Sequence, residues 1–128
     1  MPLAVMGLGG AIVVSFLLTG QYDPDRNQGI FNLLAIVPAR FDTTSPDHYQ
    51  SWIDAALPLF GHVFAHYGLP HILMNMIAYL QAAPFLAQRI GSARFLLLFF
   101  ISALGGAAAF ILINAHANYP AVGASGAI

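Results

Sequence analysis

Phe95 to Ile113 reads FLLLFFISALGGAAAFILI, an unbroken apolar run without one ionisable side chain. A bilayer core takes about 20 such residues as a helix, so the stretch reads as a membrane span and lipid as the solvent. Composition agrees. Of 128 residues, 59% are hydrophobic and 7% charged, against about 25% charged in an ordinary globular domain. Four Arg and no Lys face five Asp and no Glu, for a net charge of -1. With no basic cluster to neutralise phosphates, nucleic acid is excluded as the main partner. The lack of Cys removes disulfides, thiolate zinc sites and a cysteine nucleophile.

Outward from that run, Arg94 and Arg89 sit in the short connection Gln88 to Arg94, with no acid beside them. Arginines next to spans favour the cytoplasmic side, so this connection is expected inside. Met1 to Leu18 is a second uncharged run, interrupted only by Gly7, Gly9, Gly10 and Ser15, small residues that helix contacts accept. A signal peptide is its rival reading, but no Lys or Arg precedes the run and no A-x-A-like site follows. Leu59 to Ala87 is a third candidate, carrying His62, His66, His71, Asn75 and Gln81. Pro70 suits the first turn of its helix, where a missing N–H is no loss. The expected spans are therefore about 1–19, 70–87 and 95–113. A small apolar segment begins near 123 and reads as a fourth helix cut by the end of the chain.

Parity puts the connection 20–58 outside, with Arg26, Arg40 and all five Asp. Pro24, Pro38, Pro46 and Pro58 prevent it from being one helix. Ser45-Pro46 is a helix-start signal, after which Tyr49, Trp52, Ile53, Ala56 and Leu57 share a face, opposite Asp47, His48, Gln50, Ser51 and Asp54. This predicts a short amphipathic helix, either dipping into the membrane interface or packed on the spans.

Positions four apart share a helix face, which pairs His62 with His66 and His71 with Asn75. Three readings stand. Packing between helices by hydrogen bonds is the plainest. A metal site uses His62 and His66, but a third ligand is missing. The third reading aims His71 and Asn75, one turn apart, at a developing negative charge. Gly123-Ala124-Ser125-Gly126 gives that reading a purpose, because a serine between glycines at a helix start can be approached closely and leaves its own N–H unpaired.

Together, His62-x3-His66-x4-His71-x3-Asn75, the Arg-flanked Gly91-Ser92 turn, Ser102-Ala103-Leu104-Gly105-Gly106 and Gly123-x-Ser125-Gly126 resemble a rhomboid intramembrane serine protease, over the half of the chain from Gly61 onward. The resemblance implies an all-α membrane protein, a rhomboid-like helical bundle of which residues 1–128 hold the first three transmembrane helices and the start of the fourth. It implies Ser125 as nucleophile, and His71 and Asn75 as oxyanion donors joined by the Ser125 N–H. His62 and His66 are implied to be structural near the site, with no metal and no cofactor. The implied activity is cleavage of transmembrane protein substrates by acyl transfer in the lipid bilayer. The compact layout points to a multi-pass protein of the bacterial inner (plasma) membrane.

Relatives often carry Trp-Arg before the first His, where this chain has Leu57-Pro58. The general base comes from the sixth helix of the family, which these residues do not reach; His48 and His116 do not match it, so the fragment is expected to be inactive. A rhomboid-like pseudoenzyme that binds membrane clients without cutting them is the first alternative. A transporter or metal channel built on His62 and His66 is the second.

Overall fold

The computed structural model describes residues 1–21, 23, 25 and 28–128. Pro24 and Arg26, assigned above to the outer connection, lie outside the described residues. Among the described residues the regular elements are helical: α1 (Leu3–Leu18), α2 (Gln28–Leu34), α3 (Trp52–Gly61), α4 (Leu69–Ile90) and α5 (Ser92–Ile113). Short 3-10 turns occupy Pro38–Phe41, His62–Phe64 and Ala124–Gly126.

Helices α1, α4 and α5 form the core, each burying one stripe at three- to four-residue spacing. The stripes are Val5, Leu8, Ile12 and Phe16 on α1, Ile72, Asn75, Tyr79, Ala83 and Ala87 on α4, and Phe95, Phe99, Ala103 and Ala107 on α5. Tyr79 joins all three. Its hydroxyl donates to Val5 O at 2.9 Å, and its ring lies 6.4 Å from Phe95 and 6.3 Å from Phe99. A Cβ on Gly9 would stand 3.0 Å from Tyr79 Cε1, so the glycine is what lets this ring lie against α1.

The outward faces are apolar as well, with Leu18, Leu97, Leu112 and Ile113 exposed. In water such a surface would associate. Helix α5 is the one described helix long and apolar enough to cross a membrane. Helix α1, with 16 residues, is shorter. Helix α4 has 22 residues but carries His71, Asn75, Gln81, Gln88 and Arg89. Helices thus occupy all three expected span positions, while length and composition together single out α5.

The expected connection Gln88 to Arg94 shrinks to one residue. Arg89 lies in the last turn of α4, over the Phe85 ring at 5.0 Å, and Arg94 lies in the first turn of α5. Gly91 turns the corner between them at φ 86°, backbone that side chains with a Cβ rarely adopt.

The amphipathic helix also starts later than the Ser45-Pro46 signal predicts. Residues 42–48 close local turns instead: Ser45 N–H donates to Asp42 O at 3.0 Å and His48 N–H to Ser45 O at 3.2 Å. Tyr49 then sits outside the helix, its ring 4.3 Å from the Arg40 guanidinium. Ser51 is the actual N-cap; its Oγ accepts the Asp54 N–H at 3.1 Å and donates to Asp54 Oδ2 at 2.8 Å. Short polar side chains that satisfy turns compete with helix initiation, which explains the delay. The stripe itself persists on α3, with Trp52 and Ile53 79% and 59% exposed, so it is not packed on the other helices.

The connection between α2 and α3 is tied to the chain that follows α5. Ile36 and Ala121 exchange N–H to O bonds of 2.9 and 2.8 Å, and Ala39 N–H donates to Ala117 O at 3.0 Å. Beside them His116 Nδ1 stands 3.8 Å from Asp42 Oδ2. Hydrogen bonds from the Thr44 hydroxyl and N–H hold the Asp42 carboxyl below the usual carboxylate range, and His116 adds to the effect. This tether delivers residues 121–126 to the buried face of α4.

Candidate active site

Gly123, Ala124, Ser125 and Gly126 meet α4 at His71 and Asn75. Gly123 has φ 108° and ψ 156°, and a Cβ there would lie 2.7 Å from His71 Nε2, 2.8 Å from its Cε1 and 3.2 Å from Asn75 Nδ2. Both side chains therefore converge on the backbone two residues before Ser125. Its position is fixed from two sides. Gly123 N–H donates to His62 O at 2.8 Å, and a Cβ on Gly106 of α5 would stand 3.2 Å from Gly126 O. Gly106 is thus the small residue that lets this turn approach α5.

Ser125 is exposed in the 3-10 turn Ala124–Gly126. Its N–H precedes the first bond of that turn, Ala127 N–H to Ala124 O at 2.9 Å, so it is one of the free donors at a helix start. The sequence pattern placed Ser125 at the start of an α-helix; the described turn is 3-10, and the same donor logic applies. Asn75 is 5% exposed and its Nδ2 has no hydrogen-bond partner among the described residues. A buried amide without a partner costs about 1–3 kcal/mol, so this group is held at a cost to stability and faces the turn that carries a serine.

His71 is half-buried on the same face. The Tyr67 N–H donates to its Nδ1 at 3.2 Å. A nitrogen that accepts an N–H carries no proton of its own, so the neutral ring is protonated at Nε2, the atom against Gly123. Tyr67 also stacks on this ring, at 6.0 Å and 19°, and its hydroxyl donates to Pro120 O at 2.7 Å.

His62 and His66 do not form the helical pair that their spacing predicts, because α3 ends at Gly61 and the chain is extended by Ala65. His62 is buried, with Nδ1 donating to Pro58 O at 3.0 Å. His66 is 1% exposed, and its ring packs edge-on against His71 at 5.1 Å. A cavity of about 240 Å³, lined by Gln21, Asp23, Phe31, His66 and Tyr67 among others, borders the same connection and has room for water. Gln21 and Tyr67 carried no spacing signal in the sequence; their roles appear only in the fold.

A family model described as the rhomboid domain matches residues 52–128, more than half of the chain and every residue of the turn and of the facing α4 pair. The chain belongs to the rhomboid family. No curated protein and no solved structure matches it. Rhomboids are membrane-embedded and are generally serine intramembrane proteases, which gives the meeting of Ser125 with two neutral donors a chemistry to be tested. The rhomboid match begins at the first residue of α3 and leaves α1, α2 and their connection outside it.

Proposed function

We propose that this protein is an intramembrane serine endopeptidase acting on membrane-anchored protein substrates. The observation that carries the reading is the buried Asn75 Nδ2, without a hydrogen-bond partner among the described residues, set with His71 Nε2 against the turn of Ser125. In the proposed reaction Ser125 Oγ attacks a backbone carbonyl carbon while a base takes its proton. The carbonyl oxygen becomes an oxyanion that accepts hydrogen bonds from Asn75 Nδ2–H, His71 Nε2–H and the Ser125 N–H. Collapse breaks the C–N bond, the base returns the proton to the leaving amine, and water hydrolyses the ester.

The base is the part these residues do not place. His71 is an oriented donor, and among the described residues neither His62, bound to Pro58 O, nor His66, 1% exposed and packed on His71, hydrogen-bonds Ser125. His48 is engaged with Ser45 O, and His116 stands beside Asp42. The reading therefore requires a further histidine, so the 128-residue chain by itself is expected to be inert to fluorophosphonates. Client binding without cleavage is the competing reading, and it predicts no labelling of any longer form either.

Asn75→Ala tests the donors. It removes a buried group that has no partner in the free protein, so the melting midpoint is expected to hold or rise. Cleavage by the full-length protein is expected to fall on the order of 10² to 10³. Wild-type cleavage by this variant would remove the oxyanion assignment.

The proposed topology has α1, α4 and α5 crossing the bilayer of a bacterial inner membrane, with α3 in the outer interface. The exposed Trp52, Ile53, Leu57 and Phe60 support the interfacial position. Thr43 and Ser92 are both exposed and report the two sides. A cysteine at Thr43 is expected to react with an impermeant thiol reagent in intact cells, and one at Ser92 to resist it. The opposite pattern would invert the orientation.

A further inference from the structure

We infer that Gln21, which lies outside the rhomboid match, is a positioning residue for His71, acting through the backbone of Phe64 to Tyr67. The inference rests on the oxyanion role proposed for His71. It begins at the end of α1, where Gly20 at φ 66° reverses the chain. Gln21 N–H donates to Phe16 O at 3.2 Å and Gly20 N–H to Leu17 O at 3.3 Å, the paired bonds of a Schellman cap. The cap fixes where the Gln21 side chain leaves the helix.

That side chain is 8% exposed, and both ends of its amide are used. Oε1 accepts the His66 N–H at 2.6 Å, and Nε2 donates to Phe64 O at 3.3 Å and to Thr19 Oγ1 at 2.5 Å. One amide thus bonds the carbonyl of residue 64 and the N–H of residue 66, as a neighbouring parallel strand would. Ser15 Oγ donates to the same Phe64 O at 3.3 Å. The extended stretch after His62–Phe64, which has no neighbouring strand, is held by α1 in this way.

The next N–H along is that of Tyr67, which bonds His71 Nδ1. Its direction is set by the peptide plane between His66 and Tyr67, which follows across one Cα from the Ala65–His66 plane that the Gln21 amide pins through the His66 N–H. Without Gln21 the buried His66 N–H loses its acceptor, the Ala65–His66 plane is free to turn, the Tyr67 N–H shifts with it through the His66 dihedrals, and Nδ1 loses the donor that keeps the ring proton on Nε2. His71 then presents a mixture of tautomers to the Ser125 turn, and one of the two tautomers has no proton to give there.

The test uses full-length protein carrying ¹⁵N-histidine, with three readouts: the ring ¹⁵N signals of His71, steady-state cleavage of a membrane-anchored reporter, and the melting midpoint. Wild type is expected to show the Nε2–H tautomer. Gln21→Ala is expected to mix the tautomers and lower kcat roughly 10- to 100-fold, with little change in KM. Gln21→Glu keeps the acceptor for the His66 N–H and is expected to restore the tautomer and most of kcat. In a His71→Ala background Gln21→Ala is expected to cost little more, because the two act in series. A shifted melting midpoint with an unchanged His71 tautomer, or equal kcat losses in both backgrounds, would overturn the inference. The tautomer signal is read without turnover, so it still tests the link from Gln21 if His71→Ala cleaves normally, an outcome that would instead refute the oxyanion role.

Discussion

Ser125→Ala is expected to abolish fluorophosphonate labelling of the full-length protein and to lower reporter cleavage on the order of 10⁴ or more. The size of the effect follows from chemistry, since alanine has no nucleophile and the donors that remain can only stabilise an oxyanion formed by something else. Ser125 is exposed at a turn that leaves its N–H free, so the substitution removes one oxygen and no described hydrogen bond. The fold is expected to be unaffected, with wild-type and variant proteins melting together. Labelling that survives the substitution would assign the nucleophile elsewhere. A wild-type full-length protein that is never labelled would favour client binding without cleavage.

Gly123→Ala is the second large effect, and it acts through geometry alone. Gly123 lies at φ 108° and ψ 156°, a region open essentially to glycine, so alanine there costs about 1–3 kcal/mol of backbone strain. The added Cβ would also meet His71 Nε2 at 2.7 Å and Asn75 Nδ2 at 3.2 Å. Either the donors retreat or the Ser125 turn does, and a displacement of about 1 Å is enough to cost on the order of 10² in rate. Activity is expected to fall at least that far while the melting midpoint moves by only a few degrees. Wild-type labelling by Gly123→Ala would show that the turn stands apart from the donors during reaction.

The same two positions separate what a sequence can disclose from what it cannot. Gly123-x-Ser125-Gly126 is visible as a string, yet small-residue strings are common in membrane helices, and nothing in its letters says which face of α4 it meets. His71 and Asn75 were legible as a pair because four residues make about one helical turn. The same rule misled at His62 and His66, where the helix ends at Gly61 and the expected shared face does not exist. The Ser45-Pro46 signal likewise placed the start of the amphipathic helix too early, because Asp42 and Ser45 accept the N–H groups of nearby turns.

By itself the sequence determined the solvent, the helical class and the places of three long helices, since all of these follow from local apolar content and length. It also determined which side chains within the apolar stretches are polar enough to need a purpose. The tertiary structure alone decided which of them meet. The Ile36 to Ala121 bridge and the Gly106 to Gly126 contact bring the Ser125 turn onto α4. The Gln21 amide crosses 45 residues of sequence to hold the His66 N–H, and Tyr67 orients His71 through a backbone group that every residue but proline possesses. Contacts made by backbone atoms, or by one amide closing a long loop, leave no periodicity in the chain, and only the packed fold reveals them.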